Sequence, residues 1–202
     1  MKLYFSPGAC SLSPHIALLE AGLDFTLERV DVRAKQTASG ADFLAINSKG
    51  YVPALELKDG AVLTEGPAIV QFIADLAPDR QLAPANGTLE RYRLAEWLNF
   101  IATEVHKTFS PLFRPTSTEE MKEAARAQLR NRLGWLAGQL EGRDYLMGSQ
   151  FTVADGYLFT VLGWANFVQF DLSQWPVLAT YIQRVGSRPA VQQALRNEGL
   201  LK

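Results

Sequence analysis

The period of the apolar residues changes partway along the chain. As far as Leu76, short strand-like runs alternate with helical stretches, and beyond Gly87 only helical spacing remains. Leu3-Tyr4-Phe5 is a short apolar run interrupted by Ser6-Pro7-Gly8, after which Leu12, Ile16 and Leu19 recur at helical spacing up to Gly22. This predicts a strand, a break and a helix, with Cys10 in the helix's first turn. Phe25 to Val32 alternates apolar and polar as a strand does. Arg33 to Gly40 is polar and predicts a loop, and Phe43, Leu44 and Ile46 predict a short helix. Two further apolar runs, Ala54 to Leu57 and Val62-Leu63, flank Asp59-Gly60, a strong hairpin signal. Thr64-Glu65-Gly66-Pro67 opens a third helix, with proline early, where its missing N–H leaves no bond unmade, and with Ile69, Val70, Phe72, Ile73 and Leu76 as the buried face. The predicted order is β-α-β-α-β-β-α.

Ala77 to Gly87 has the proline and glycine content of a linker. The expected organisation is therefore a domain over 1–78, a linker over 79–87 and an all-helical domain over 88–202. In the second domain Thr88 to Pro111 predicts one long helix, with Leu94, Leu98, Ile101, Val105 and Phe109 along its apolar side. Asn99, Thr103, His106 and Ser110 form a neighbouring polar stripe suited to lining a cleft. Leu129, Leu133, Leu136 and Leu140 mark another helix. Thr152-Val153-Ala154-Asp155 is a capping box that starts a helix apolar almost all round from Tyr157 to Val168, as expected of the buried centre of a bundle. Trp175-Pro176 and Arg188-Pro189 open two more short helices. Tyr4, Phe5, Tyr157 and the tryptophans are assigned to the core, and His15 to packing or capping.

Charge narrows the possible partners. The 202 residues carry 20 basic and 21 acidic side chains with no basic run, so neither nucleic acid nor an anionic membrane is expected, and a small molecule is. No stretch approaches the roughly 18 apolar residues of a membrane span, and the run before Pro7 is too short for a leader, which makes the cytoplasm the expected location. The single cysteine, Cys10, excludes an internal disulfide. At a helix start, free N–H groups and the macrodipole favour an anion, whether the Cys10 thiolate or a bound one. The helix supplies about 0.3–1 kcal/mol, up to ~2, and one pKa unit is about 1.36 kcal/mol. A thiol of pKa about 8.5 would then be only partly ionised at neutral pH, and a second cationic or hydrogen-bonding group is needed. A small buried hydrophobe is the plainer role for Cys10. Pro53, directly before a strand, cannot donate to the sheet, so Val52-Pro53 is a candidate cis bond, a trans loop proline being the alternative. Turned that way, Val52 would offer its backbone N–H and C=O to an extended peptide ligand.

Taken together, the β-α-β-α-β-β-α half with Val52-Pro53 before its third strand and Glu65-Gly66 at its last helix, the linker, the helical half and the Thr152…Asp155 box resemble a cytosolic glutathione transferase over the whole chain. Cys10 after Ser6-Pro7-Gly8-Ala9, with Thr103-Glu104-Val105-His106-Lys107, is similar to the bacterial beta class, closest to the enzymes of biphenyl-type degradation pathways. The resemblance implies a thioredoxin-like N-terminal domain and a C-terminal helical bundle. It implies glutathione as co-substrate, a small hydrophobic electrophile, aromatic or halogenated, a homodimer and no metal. It also implies that Cys10, His106 and Lys107 face the glutathione sulfur, and that Val52, beside Pro53, pairs with the cysteinyl part. Glu65 and the Gly66 amide would hold the γ-glutamyl end, Lys35 would reach the glycyl carboxylate, and Asn99, Thr103 and Glu104 would complete the pocket, some of them across the dimer. Many relatives carry Ser where Gly66 stands, so a hydroxyl contact is lost there. Two alternatives stay open: thiol–disulfide exchange through a Cys10–glutathione mixed disulfide, since Cys10-Ser11-Leu12-Ser13 is a C-x-x-S, and a binding module without turnover.

Overall fold

The computed structural model describes residues 1–201. They form two compact units, Met1–Ala83 together with the C-terminal segment from Arg188, and Pro84–Ser187. In the first unit, β1 (Lys2–Phe5) is the middle strand of a sheet ordered β3-β2-β1-β4-β5, with β2 at Thr26–Asp31, β3 at Gln36–Thr37, β4 at Ala54–Glu56 and β5 at Val62–Thr64. β1 runs parallel to β2 and antiparallel to β4, and a parallel pair needs a crossover, which α1 (Leu12–Ala21) provides. Tyr4 packs with Val30, Phe43, Val52 and Ala54, while Leu3 and Phe5, pointing the opposite way, are buried as well. Burial on both faces explains why β1 is apolar without alternation. The hairpin falls where Asp59-Gly60 puts it. Ala54 pairs with Thr64 and Glu56 with Val62, and Gly60 takes the positive φ of 86° that the turn requires.

Three features depart from the predicted order. The loop at Arg33 to Gly40 contains β3, a two-residue strand paired antiparallel to β2 just before α2 (Phe43–Ile46), and too short to show a period. α1 begins at Leu12, not around Cys10, which lies in the preceding turn. The reason is Pro14: the α-helical partner of the Cys10 carbonyl would be residue 14, which has no N–H, so that carbonyl accepts from Ser13 N–H at 3.2 Å instead. The side chain of Ser11 is spent on Ser6, accepting from its N–H at 3.1 Å and donating to its carbonyl at 3.2 Å, and so ties the end of β1 to the helix start.

The third departure concerns the C-terminus. α9 (Pro189–Asn197) packs on α1, which itself packs on α3 (Gly66–Asp75), so the last residues belong to the first unit and not to the helical one. A buried hydrogen-bonded pair and a salt bridge explain this attachment. Glu198 accepts from His15 Nδ1 at 2.9 Å and from the Gly8 N–H at 2.9 Å, and Arg188 pairs with Glu20 at 2.6 Å. His15, expected to pack or cap, is fully buried between the rings of Phe5 and Phe25.

The second unit is helical throughout. α4 (Leu89–Phe100) runs into a π-helical segment, Ile101–His106, and then into α5 (Lys107–Phe113), where one uniform helix was predicted. Leu94, Leu98, Ile101, Val105 and Phe109 are fully buried, as are Leu129, Leu133 and Leu136 of α6 (Glu119–Leu140). α7 (Val153–Phe167) is buried nearly all round and packs against α4 and α8 (Pro176–Gly186). Its start carries the predicted box: the buried Asp155 carboxylate accepts from Thr152 N–H at 2.8 Å, Leu146 N–H at 2.9 Å and Tyr181 OH at 2.9 Å. The tryptophans correct the expectation of a common core. Trp164 is buried, whereas Trp97 and Trp135 cluster with Phe100, with Trp135 49% exposed, because an aromatic cluster satisfies itself on a helix surface as well as inside.

Candidate functional site

In the first unit the hairpin register carries the site. Because Ala54 lies opposite Thr64, the next residues outward, Val52-Pro53 and Glu65-Gly66, end up side by side. An added Cβ on Gly66 would touch the Pro53 ring at 3.9 Å. The Val52-Pro53 bond is cis. The Val52 carbonyl, expected to be open, accepts the Cys10 S–H at 3.3 Å, so cysteine and valine do meet, through that thiol. Lys35 Nζ donates to the Gly50 carbonyl at 2.6 Å, which brings its charge to the same loop.

Glu65 caps α3 at the left-handed φ of 69°, an uncommon backbone for a side chain with a Cβ, and Ala68 and Ile69 N–H donate to its carbonyl at 3.0 Å each. Its carboxylate accepts from Lys49 Nζ at 2.6 Å and from Tyr51 OH at 3.0 Å. That hydrogen bond raises the pKa of each partner, keeping Lys49 an ammonium and Tyr51 a phenol. Lys49 and Tyr51 are absent from the residues anticipated for the site. The signal was available, since extending the Asp59-Gly60 hairpin outward brings the Lys49-Gly50-Tyr51 stretch to Glu65.

In the second unit the polar stripe expected on one helix face is divided. Asn99 and Thr103 are exposed, and their side chains turn back on their own helix, Asn99 Nδ2 to the Ala95 carbonyl at 2.8 Å and Thr103 Oγ1 to the Asn99 carbonyl at 3.0 Å. The wider i→i+5 turns of the π-helical segment rotate His106 away from them. It meets α7 instead: Nδ1 lies 2.7 Å from Tyr157 OH, and the ring stands edge-on to Trp164 with centroids 4.6 Å apart. Burial, with a smaller contribution from the Lys107 charge, lowers the His106 pKa to about 4. At neutral pH it is an uncharged imidazole, able to make hydrogen bonds but carrying no positive charge. Lys107 is exposed, and Glu104 is paired with Arg132 at 2.7 Å. Tyr157, assigned to packing alone, is also the partner of His106, something no one-dimensional pattern reveals.

The sequence matches the glutathione S-transferase N-terminal domain family over residues 8–76 and the C-terminal domain family over residues 100–189. Glutathione S-transferase GstA of Escherichia coli O157:H7 is 51% identical over 200 residues, 99% of this chain and 100% of that protein. Among solved structures, a ternary complex of BphK, a bacterial GST, is 62% identical with a TM-score of 0.98, covering 99% of this chain and 100% of that one. A sphingomonad glutathione S-transferase complexed with glutathione is 50% identical (TM-score 0.96; 99% and 100% covered), and a bacterial beta class glutathione S-transferase of Sphingomonas chungbukensis is 50% identical (TM-score 0.97; 100% of both). The chain belongs to the glutathione S-transferase family, and its solved neighbours include a bacterial beta-class enzyme.

Proposed function

We propose that the protein is a glutathione S-transferase that joins the glutathione sulfur to small electrophiles, aromatic or halogenated, working as a homodimer in the cytoplasm. The observation that carries this reading is the Cys10 S–H donating to the Val52 carbonyl at 3.3 Å. A sulfur committed as donor to a carbonyl is poorly placed as an anion, since an ionised sulfur would face the oxygen lone pairs. The nucleophile is then glutathione itself. Its thiol gives up a proton, the thiolate attacks the electrophilic carbon, and with an aromatic halide the halide leaves with the bonding pair, yielding a thioether and the hydrogen halide. Glu65 and the Gly66 amide serve the γ-glutamyl end, Val52 next to Pro53 the cysteinyl amide, and Lys35 the glycyl carboxylate. His106 supplies a neutral hydrogen bond and Lys107 a charge to the sulfur, while Asn99, Thr103 and Glu104 serve the same ligand in the dimer. Catalysis on this reading is positional and electrostatic.

The second reading, thiol–disulfide exchange, is favoured by Cys10 being a half-buried thiol outside any disulfide. One pair of assays separates the two. The Cys10→Ala variant is expected to keep aromatic-halide conjugation within about tenfold, since one neutral hydrogen bond is worth only about 0.5–1.5 kcal/mol. The same variant should lose glutathione-dependent reduction of a small disulfide entirely. Loss of conjugation by an intact, glutathione-binding Cys10→Ala protein would make Cys10 the reacting atom and thiol exchange the function.

A further inference from the structure

The structure surrounds Glu65 with more than the recognition of an ammonium requires. Lys49 Nζ lies 2.6 Å from one Glu65 oxygen and 3.0 Å from Thr64 Oγ1, so two of its three N–H donors are engaged within the first unit. The same Glu65 oxygen accepts from Tyr51 OH, and the Lys49 ammonium lies 6.0 Å from the Tyr51 ring centroid. A cation and an anion are thus held in contact, half exposed, beside the Gly66 amide at the start of the ten-residue helix α3. Gly66 has no side chain with which to hold a carboxylate.

The γ-glutamyl end of glutathione is a free α-amino acid, with an ammonium and a carboxylate on one carbon. A lone carboxylate in the site matches only half of it. We propose that Lys49 is a substrate-binding residue that takes the γ-glutamyl α-carboxylate on its remaining N–H while Glu65 takes the α-ammonium, so that the pair reads the zwitterion as a unit. The inference rests on the glutathione reading above. Thr64 and Tyr51 act as positioning residues. The threonine hydroxyl anchors the ammonium, and the phenol orients the carboxylate, so neither charge has to be ordered when the ligand arrives. Lys49 also supplies the side-chain contact that Gly66 cannot.

The test is a cycle between variants and ligands, read by calorimetry. The ligands are glutathione, 4-aminobutyryl-Cys-Gly, which lacks the α-carboxylate, and glutaryl-Cys-Gly, which lacks the α-ammonium. Lys49→Met should weaken glutathione about tenfold, the lower end for a charge-assisted hydrogen bond because the group is half exposed, and should leave 4-aminobutyryl-Cys-Gly unchanged. Glu65→Gln should weaken glutathione and leave glutaryl-Cys-Gly unchanged. Lys49→Arg should retain most of the affinity. Equal losses for both ligands in Lys49→Met, or no loss for either, would overturn the role of Lys49 while leaving glutathione binding in place. Failure of the wild type to bind glutathione would remove the reading on which the inference rests and the inference with it.

Discussion

Replacing Asp155 with alanine is expected to destabilise the helical unit by about 4 kcal/mol, the largest effect of any single substitution considered for this chain. The carboxylate is completely buried and is the common acceptor for two backbone N–H groups, of Leu146 and Thr152, and two hydroxyls, of Thr152 and Tyr181. It therefore caps α7, pins the chain around Leu146 and anchors α8 through Tyr181. Its burial pushes the carboxyl pKa up, against the pull of those four hydrogen bonds. Alanine removes the acceptor and leaves buried donors without one, at about 1–3 kcal/mol for each that water cannot reach. Asn should lose less, since it keeps one carbonyl oxygen and the volume. In thermal unfolding the alanine variant should melt about 10 °C lower, at roughly 2–4 °C per kcal/mol for a chain of this size. A melting temperature within a degree or two of wild type would show that the box merely decorates a helix held by packing.

The second large effect belongs to His106. Its folded pKa is depressed to about 4 by burial, whereas an unfolded histidine titrates near 6.5. Between those values the unfolded chain binds the extra proton and the folded chain does not, so stability is fully present above about pH 6.5 and is lost as pH falls toward 4. One pKa unit corresponds to about 1.36 kcal/mol, so the loss across that interval amounts to about 3 kcal/mol. Exposed carboxylates such as Asp31, Glu119 and Asp171 have lowered pKa values and weaken the fold in acid too, so the informative quantity is the difference between wild type and His106→Asn. Urea unfolding of both at intervals from pH 7 to pH 4 should show wild-type stability falling more steeply over that range. Parallel curves would mean that the imidazole charges freely in the folded protein. It would then titrate near the ordinary histidine value of about 6.5 and carry a partial positive charge at neutral pH, contrary to the neutral hydrogen-bonding role proposed for it.

The two halves of the molecule were unequally legible in the sequence. Wherever a periodic stripe is buried by its immediate neighbours, as at Leu94 to Phe109 or Leu129 to Leu140, spacing alone identifies the core. Asp59-Gly60 and Thr152…Asp155 were equally plain because their chemistry is local. β3 was hidden because two residues, Gln36 and Thr37, carry no period. The late start of α1 follows from Pro14, whose missing N–H is felt four residues back at the Cys10 carbonyl and leaves the apolar spacing of the helix unchanged. The attachment of α9 to the first unit depends on Glu198 finding His15, more than 180 positions away, and no local pattern encodes such a pairing. The candidate site divides along the same line. Cys10, Val52 and Glu65 stand out by residue type and neighbours. The His106–Tyr157 contact depends on where a π-helical segment turns a side chain, and Lys49 emerges only once a hairpin register is carried past its strands.

The central claim is that glutathione, and not Cys10, is the sulfur that reacts. Ultraviolet difference titration of bound glutathione, in wild type and in Cys10→Ala, tests it most directly, because a thiolate absorbs where a thiol does not. The account predicts that bound glutathione ionises well below the free-thiol value of about 8.5 in both proteins, and that intact mass finds no glutathione attached to Cys10 under reducing conditions. A bound thiol that titrates like the free one in wild type, or a thiolate signal that vanishes with Cys10→Ala while binding persists, would contradict it.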